Sequence, residues 1–118
     1  MMTPPTIEVV FSQTFLDDIK RLRKKYRHIL DDVDLLVDRL RNGETPGDRI
    51  PGTGYTTYKV RLKSSDLAKG KRGGFRLIYY LQTTTERFLL TIYAKSEQSD
   101  ISPDEIAALV RKILSSYN

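Results

Sequence analysis

Three strand-like segments between Tyr58 and Lys95 constrain this chain more than any other feature. Tyr58 to Lys63 alternates strictly: Tyr58, Val60 and Leu62 point one way, and Lys59, Arg61 and Lys63 the other. Ser64 to Gly74 turns the chain, with Gly70, Gly73 and Gly74 free to take positive φ. Phe75 to Leu81 is the next strand and sets Arg76, Ile78 and Tyr80 on the face opposite Phe75, Leu77 and Tyr79. Gln82 to Glu86 reads as a polar hairpin turn, and Phe88 to Lys95 as the last strand, with Thr91, Tyr93 and Lys95 sharing a face. Between Lys59 and Arg76, seven cations (Lys59, Arg61, Lys63, Lys69, Lys71, Arg72 and Arg76) stand against the single Asp66, a net of +6 in a chain that carries +5 in total. The excess charge is therefore placed rather than spread. A positive sheet surface with interleaved tyrosines is suited to holding a phosphodiester chain.

The flanking segments supply helices to cover such a sheet. Ile7 to Phe11 is a short β-branched run that reads as a first strand. From Ser12 or Thr14, the stripe Phe15, Ile19, Leu22, Tyr26 recurs at helical spacing, and a second stripe, Ile29, Val33, Leu36, Val37, Leu40, runs to Asn42-Gly43. Two antiparallel helices with a break near Arg27-His28 fit a compact domain better than one long helix, and His28 reads as a junction residue. Gly43 to Thr57 is a long loop rich in Gly, Pro and Thr. Ser102-Pro103-Asp104-Glu105 is a capping box with proline at the first helical position, followed by the stripe Ile106, Leu109, Val110, Ile113, Leu114. The expected fold is α+β over residues 1–118 as a single domain. Its sheet is small and antiparallel, in the element order β-α-α-β-β-β-α, with the helices against one face.

Composition excludes several chemistries. At 118 residues with 39% hydrophobic and 30% charged residues, the chain suits one soluble core. It has no cysteine and one histidine, so disulfides, thiolate metal sites and a two-histidine nuclease mechanism cannot be built. Asp31, Asp34 and Asp38 share a helical face that suggests a metal site, but no turn glycine or flanking ligand supports one, and a solvated acidic face is the simpler reading. The basic side of the first helix (Lys20, Arg21, Arg23, Lys24, Lys25, Arg27) reads in the same way as a solvated face, with RNA contact as the alternative. No apolar run approaches a membrane span, and Met1 to Thr6 lacks a signal-peptide pattern, so a cytoplasmic protein is expected.

Lys59 and Arg61 project together from one strand, and Arg76 comes from its hairpin partner. In level register, the three would converge to hold two phosphates and stabilise a phosphorane-like transition state. Tyr80 and Tyr93 could stack on splayed bases, while Lys95 and Glu97 are candidate proton-transfer groups. The competing reading is that these charges coat the exposed face of a half-buried sheet. The Gly70-Lys71-Arg72-Gly73-Gly74 loop lacks the spacing and the Lys-Ser/Thr ending of a Walker loop.

Tyr58-Lys59-Val60-Arg61, then Gly70 to Tyr80 (GKRGGFRLIYY), then Ile92 to Ser102 (IYAKSEQSDIS) closely resemble the RelE/HigB toxin superfamily, and more narrowly its HigB-type branch. The element order matches from Ile7 through the final helix. The resemblance implies a small bacterial toxin of a type II toxin–antitoxin module that enters the ribosomal A site and cuts mRNA. The family does this without a metal or cofactor, with the RNA 2′-OH as nucleophile, leaving a 2′,3′-cyclic phosphate.

Carried over by position, Lys59, Arg61 and Arg76 match basic residues that RelE uses for mRNA binding and catalysis, and Lys95 matches a basic position at the end of the last strand. Lys63, Lys69, Lys71 and Arg72 extend the RNA-binding surface. This chain departs from RelE at two places: Ser96 replaces an arginine, and Ser102 stands where RelE has its catalytic tyrosine. The proton-transfer step therefore falls to Lys95 or Glu97, with Arg76 stabilising the transition state. The implied partners are the ribosome, mRNA and a small helix-turn-helix antitoxin encoded beside the toxin, through which alone the complex would reach operator DNA. The alternatives are a ParE-like gyrase inhibitor without nuclease activity and a non-toxic relative that only binds RNA or a repressor.

Overall fold

A computed structural model describes residues 6–67, 73–98 and 100–117. The chain runs β1 (Glu8–Phe11), α1 (Gln13–Leu22), α2 (Ile29–Arg41), β2 (Asp48–Arg49), β3 (Thr57–Leu62), β4 (Phe75–Thr83), β5 (Glu86–Ala94) and α3 (Pro103–Tyr117). The expected element order holds, with one addition, the two-residue β2 inside the long loop. The sheet is ordered β1-β5-β4-β3-β2, and β1 lies parallel to β5 while the other pairs are antiparallel. The sheet is therefore mixed, not purely antiparallel as expected. After β1, two helices carry the chain across to the far edge of the sheet. The meander from β3 through β4 then brings β5 back alongside β1 in the same direction.

The helices cover both faces of the sheet, not one. Central strands β4 and β5 are almost continuously apolar, so each of their faces needs a cover. Leu77, Tyr79, Leu89 and Ile92 join Phe15, Ile19, Leu22, Val33, Leu36 and Leu40 of α1 and α2 in one core. Ile78, Tyr80, Phe88 and Leu90 join Ile106, Val110 and Ile113 of α3 in a second. The helix stripes read from sequence are the buried ones.

Local chemistry sets the boundaries. Ser12 caps α1 by accepting from Phe15 N at 3.0 Å, and its own hydroxyl reaches Leu90 O at 2.9 Å, which ties the helix start to β5. At α3 the expected capping box forms, with Glu105 N on Ser102 Oγ at 3.2 Å and Ser102 N on Glu105 Oε1 at 3.4 Å. The helix break spans Arg23 to His28. The long loop is pinned from beneath, where the buried Tyr79 hydroxyl donates to Pro46 O at 2.6 Å. Gly47 there has φ 92° and lies against the Lys59 carbonyl, leaving no room for a Cβ. Gly74 has φ 81° against the Leu62 carbonyl, which lets β4 start tight against the end of β3. Among the described residues no helix is long and apolar enough to cross a membrane.

Candidate nucleic-acid interface

Arg76 alternates with the strand residues Phe75 and Leu77 of the first core and so lies on the side of the sheet that Ile78 and Tyr80 present to α3. Arg61 pairs with Arg76 across β3–β4, and Arg76 with Tyr93 across β4–β5, so the three residues form one row. Residues directly opposite in this way have Cβ atoms about 5 Å apart. Lys59 stands two residues along β3, about 7 Å away at the rise of a strand. The level register that convergence required is therefore present. Arg61 is exposed, whereas Arg76 is 8% exposed and donates only to its neighbour Phe75 O at 3.3 Å. Neither makes an ion pair among the described residues. The register thus sets an exposed and a buried arginine level on neighbouring strands with no ion-pair partner among the described residues, and cations left in that way favour an anion.

Lys59 has a partner: its Nζ lies 3.1 Å from Asp100 Oδ1. The same oxygen accepts from Ile101 N at 2.9 Å and faces the Tyr93 hydroxyl at 3.5 Å. The hydrogen bond from Ile101 N, and then that from Lys59, hold the Asp100 carboxyl below its ordinary value, so it is ionised at neutral pH. Asp100 entered the sequence reading only as part of the segment Ile92 to Ser102 that carried the resemblance, with no chemical role assigned to it. Its signal was its place two residues before a helix cap, beside a strongly positive sheet.

The tyrosine assignments are corrected. Tyr80 is 8% exposed and lies beneath α3, with its ring edge-on to Tyr55 at 5.6 Å and stacked on Phe88 at 6.0 Å. No ring face is left for a base. Tyr93 is 2% exposed and only its hydroxyl end reaches the charged corner. Burial, and then Asp100, push its hydroxyl pKa up.

Glu97 is also reassigned. Its Oε1 accepts from Arg21 Nη2 at 3.0 Å and from Ala94 N at 2.9 Å, and its Oε2 from Arg21 Nε at 3.3 Å. Burial would raise its pKa, but the Arg21 and Ala94 hydrogen bonds outweigh it and hold the carboxyl low. Glu97 is thus a clasp from the end of β5 to α1, not a free base. The clasp continues through Asp18, which binds Arg21 at 2.8 Å, Thr91 Oγ1 at 2.6 Å and Ile92 N at 3.1 Å. Those two acceptor contacts lie beside the register shift between Ile78 and Tyr79, where the ladder is interrupted.

Lys95 is exposed, its N–H bonded to Gly74 O at 3.0 Å. It lines a cleft of about 380 Å³ with Lys25, Tyr26, Leu67, Gly73, Gly74 and Ser96, and not with Lys59 or Arg61. Lys63 stands just past β3 on a cleft of about 420 Å³ that also takes in Leu35, Arg39 and Arg61. Lys69, Lys71 and Arg72 lie outside the described residues. The base of their loop is anchored to α2: Asp66 accepts from His28 N at 2.8 Å and meets His28 Nδ1 at 2.7 Å, and Ser65 N donates to Asp32 at 3.1 Å. His28 is a junction residue, as expected, and also a clasp. Among the described residues no three His, Asp or Glu side chains are grouped to hold a metal ion, and Asp31, Asp34 and Asp38 gather no further donor.

These features define a small α+β protein whose sheet carries two arginines in level register, without ion-pair partners among the described residues. The fold is similar to that of a solved structure of the E. coli toxin RelE, an arginine-substituted mutant in the free state. The TM-score is 0.55 at 19% sequence identity, over 92% of this chain and 99% of that one. A family model described as the RelE toxin of the RelE/RelB toxin–antitoxin system matches residues 17–117. The chain belongs to the RelE toxin family.

Proposed function

We propose that this protein is the toxin of a type II toxin–antitoxin module, of the HigB-type branch, and a ribosome-dependent mRNA interferase. It cuts mRNA in the ribosomal A site by attack of the RNA 2′-OH on the adjacent phosphate, leaving a 2′,3′-cyclic phosphate and requiring no metal. Arg61 and Arg76 hold the scissile phosphate and stabilise the charge that builds on it, and Lys59 flanks them. Lys63, Lys95 and the loop cations Lys69, Lys71 and Arg72 guide the RNA backbone. A cytoplasmic location and a small helix-turn-helix antitoxin, which carries the complex to operator DNA, complete this reading. The observation that supports it best is the level register of Arg61 and Arg76, neither of which has an ion-pair partner among the described residues.

Primer extension on a reporter mRNA, with and without translating ribosomes, tests it. Wild-type protein should produce cuts in reading-frame register that require ribosomes, and Arg76→Ala and the exposed Arg61→Ala should each produce none. Cuts on free RNA would remove the ribosome from the mechanism. The absence of cuts under both conditions would overturn the nuclease reading and turn attention to gyrase.

A further inference from the structure

The cationic row explains how a phosphate is held but supplies no proton acceptor. Glu97, the carboxylate suggested by sequence, is committed to Arg21 and Ala94 N. Arg61 and Arg76 are poor proton acceptors because guanidinium remains protonated. Asp100 has the required placement. Its side chain is 62% exposed, one oxygen is fixed by Lys59 Nζ and Ile101 N, and the Tyr93 hydroxyl supports it from the buried side. Tyr93 in turn is the register neighbour of Arg76.

We propose that Asp100, paired with Lys59, is the proton acceptor of RNA cleavage, an inference that rests on the nuclease reading above. The O2′–P bond forms as the P–O5′ bond breaks. The 2′-OH proton passes to the Asp100 carboxylate, and the departing 5′-oxygen takes a proton from the Lys59 ammonium. The Asp100 acid, whose open oxygen took that proton, then gives it up to solvent while the Lys59 amine beside it takes one back, which restores both groups. The net exchange is downhill, because an amine binds a proton far more tightly than a carboxylate does. The products are a 2′,3′-cyclic phosphate and a 5′-hydroxyl, and the couple ends as it began. The charged groups facing Asp100 are Lys59 from β3 and, through Tyr93, Arg76 from β4. Asp48, opposite Lys59 in the β2–β3 register, makes no ion pair with it.

The test is single-turnover cleavage on programmed ribosomes, with affinity for the same ribosomes measured in parallel. Asp100→Asn keeps the shape and should slow cleavage by about a hundredfold or more at unchanged affinity, the typical loss for a missing acid–base group. Asp48→Asn should cleave at the wild-type rate. An mRNA with sulfur at the scissile 5′ bridging position, whose leaving group needs no protonation, should restore Lys59→Arg and leave Asp100→Asn slow. Wild-type cleavage by Asp100→Asn, an equal loss in Asp48→Asn, or rescue of Asp100→Asn by the sulfur substrate would each overturn the assignment while leaving the nuclease standing. A wild-type protein that cleaves nothing would remove both.

Discussion

Two groups of charges lie at the same end of the sheet and have opposite fates. On the α1 side, Arg21, Asp18 and Glu97 are interlocked, and each carboxylate is bonded by both the arginine and a backbone N–H of β5. On the β3–β4 side, Arg61 and Arg76 stand level without an ion-pair partner among the described residues. A charge whose partners are all within the chain contributes to the fold, because its desolvation is offset at home. A charge left without a partner keeps its interaction free energy for whatever binds there. The difference teaches that charge type is a poor guide to role, and partner inventory a better one.

Four outcomes would sharpen or break that contrast. The largest effect is expected at Arg61→Glu, which puts an acid where a phosphate is held. Ribosome-dependent cleavage should fall by about a thousandfold, the upper range for a lost transition-state donor, with thermal melting unchanged. A large drop in melting temperature would move Arg61 into the structural group. Next is Asp18→Ala, which leaves Thr91 Oγ1 and Ile92 N without their acceptor and Arg21 with Glu97 alone. A loss of about 3 kcal/mol is expected in urea unfolding, given the cost of stranded buried donors. A loss under about 0.5 kcal/mol, the level of an ordinary surface change, would show that the ladder interruption is self-sufficient.

Glu97→Gln should cost no more than about 1 kcal/mol, since its partner Arg21 is half exposed, and cleavage should continue at the wild-type rate. Abolished cleavage would return Glu97 to the catalytic group. The smallest effect is in pH. The folded Glu97 carboxyl lies below its unfolded value of about 4.3, so its contribution is present above that pH and is lost as pH falls through the folded value. Melting curves in acid should therefore fall less steeply for Glu97→Gln than for wild type.

Much of this was legible in the chain. Helical spacing marked the buried stripes Phe15-Ile19-Leu22 and Ile29-Val33-Leu36-Val37-Leu40, because a helix that buries one face must repeat that way. Alternation separated Val60 from Lys59 and Arg61, and the capping box marked the start of α3. Other features were not legible because they depend on approach between distant segments. The parallel pairing of β1 with β5 follows from where two helices deposit the chain, which no local pattern records. Tyr80 and Tyr93 read like a stacking platform. Both are buried, Tyr80 because the apolar run of β4 and β5 calls α3 onto the second face, and Tyr93 in the row it shares with Arg76.

By itself, the sequence determined the elements, their apolar faces and the concentration of cations between Lys59 and Arg76, since periodicity and composition are properties of neighbours along the chain. Only the tertiary structure decided which charges found partners. It turned Glu97 to Arg21 across 76 positions and set Asp100 against Lys59 across 41, while leaving Arg61 level with Arg76. Ion pairing acts over a few ångströms of space and is indifferent to separation in sequence, so it is settled only when the sheet closes.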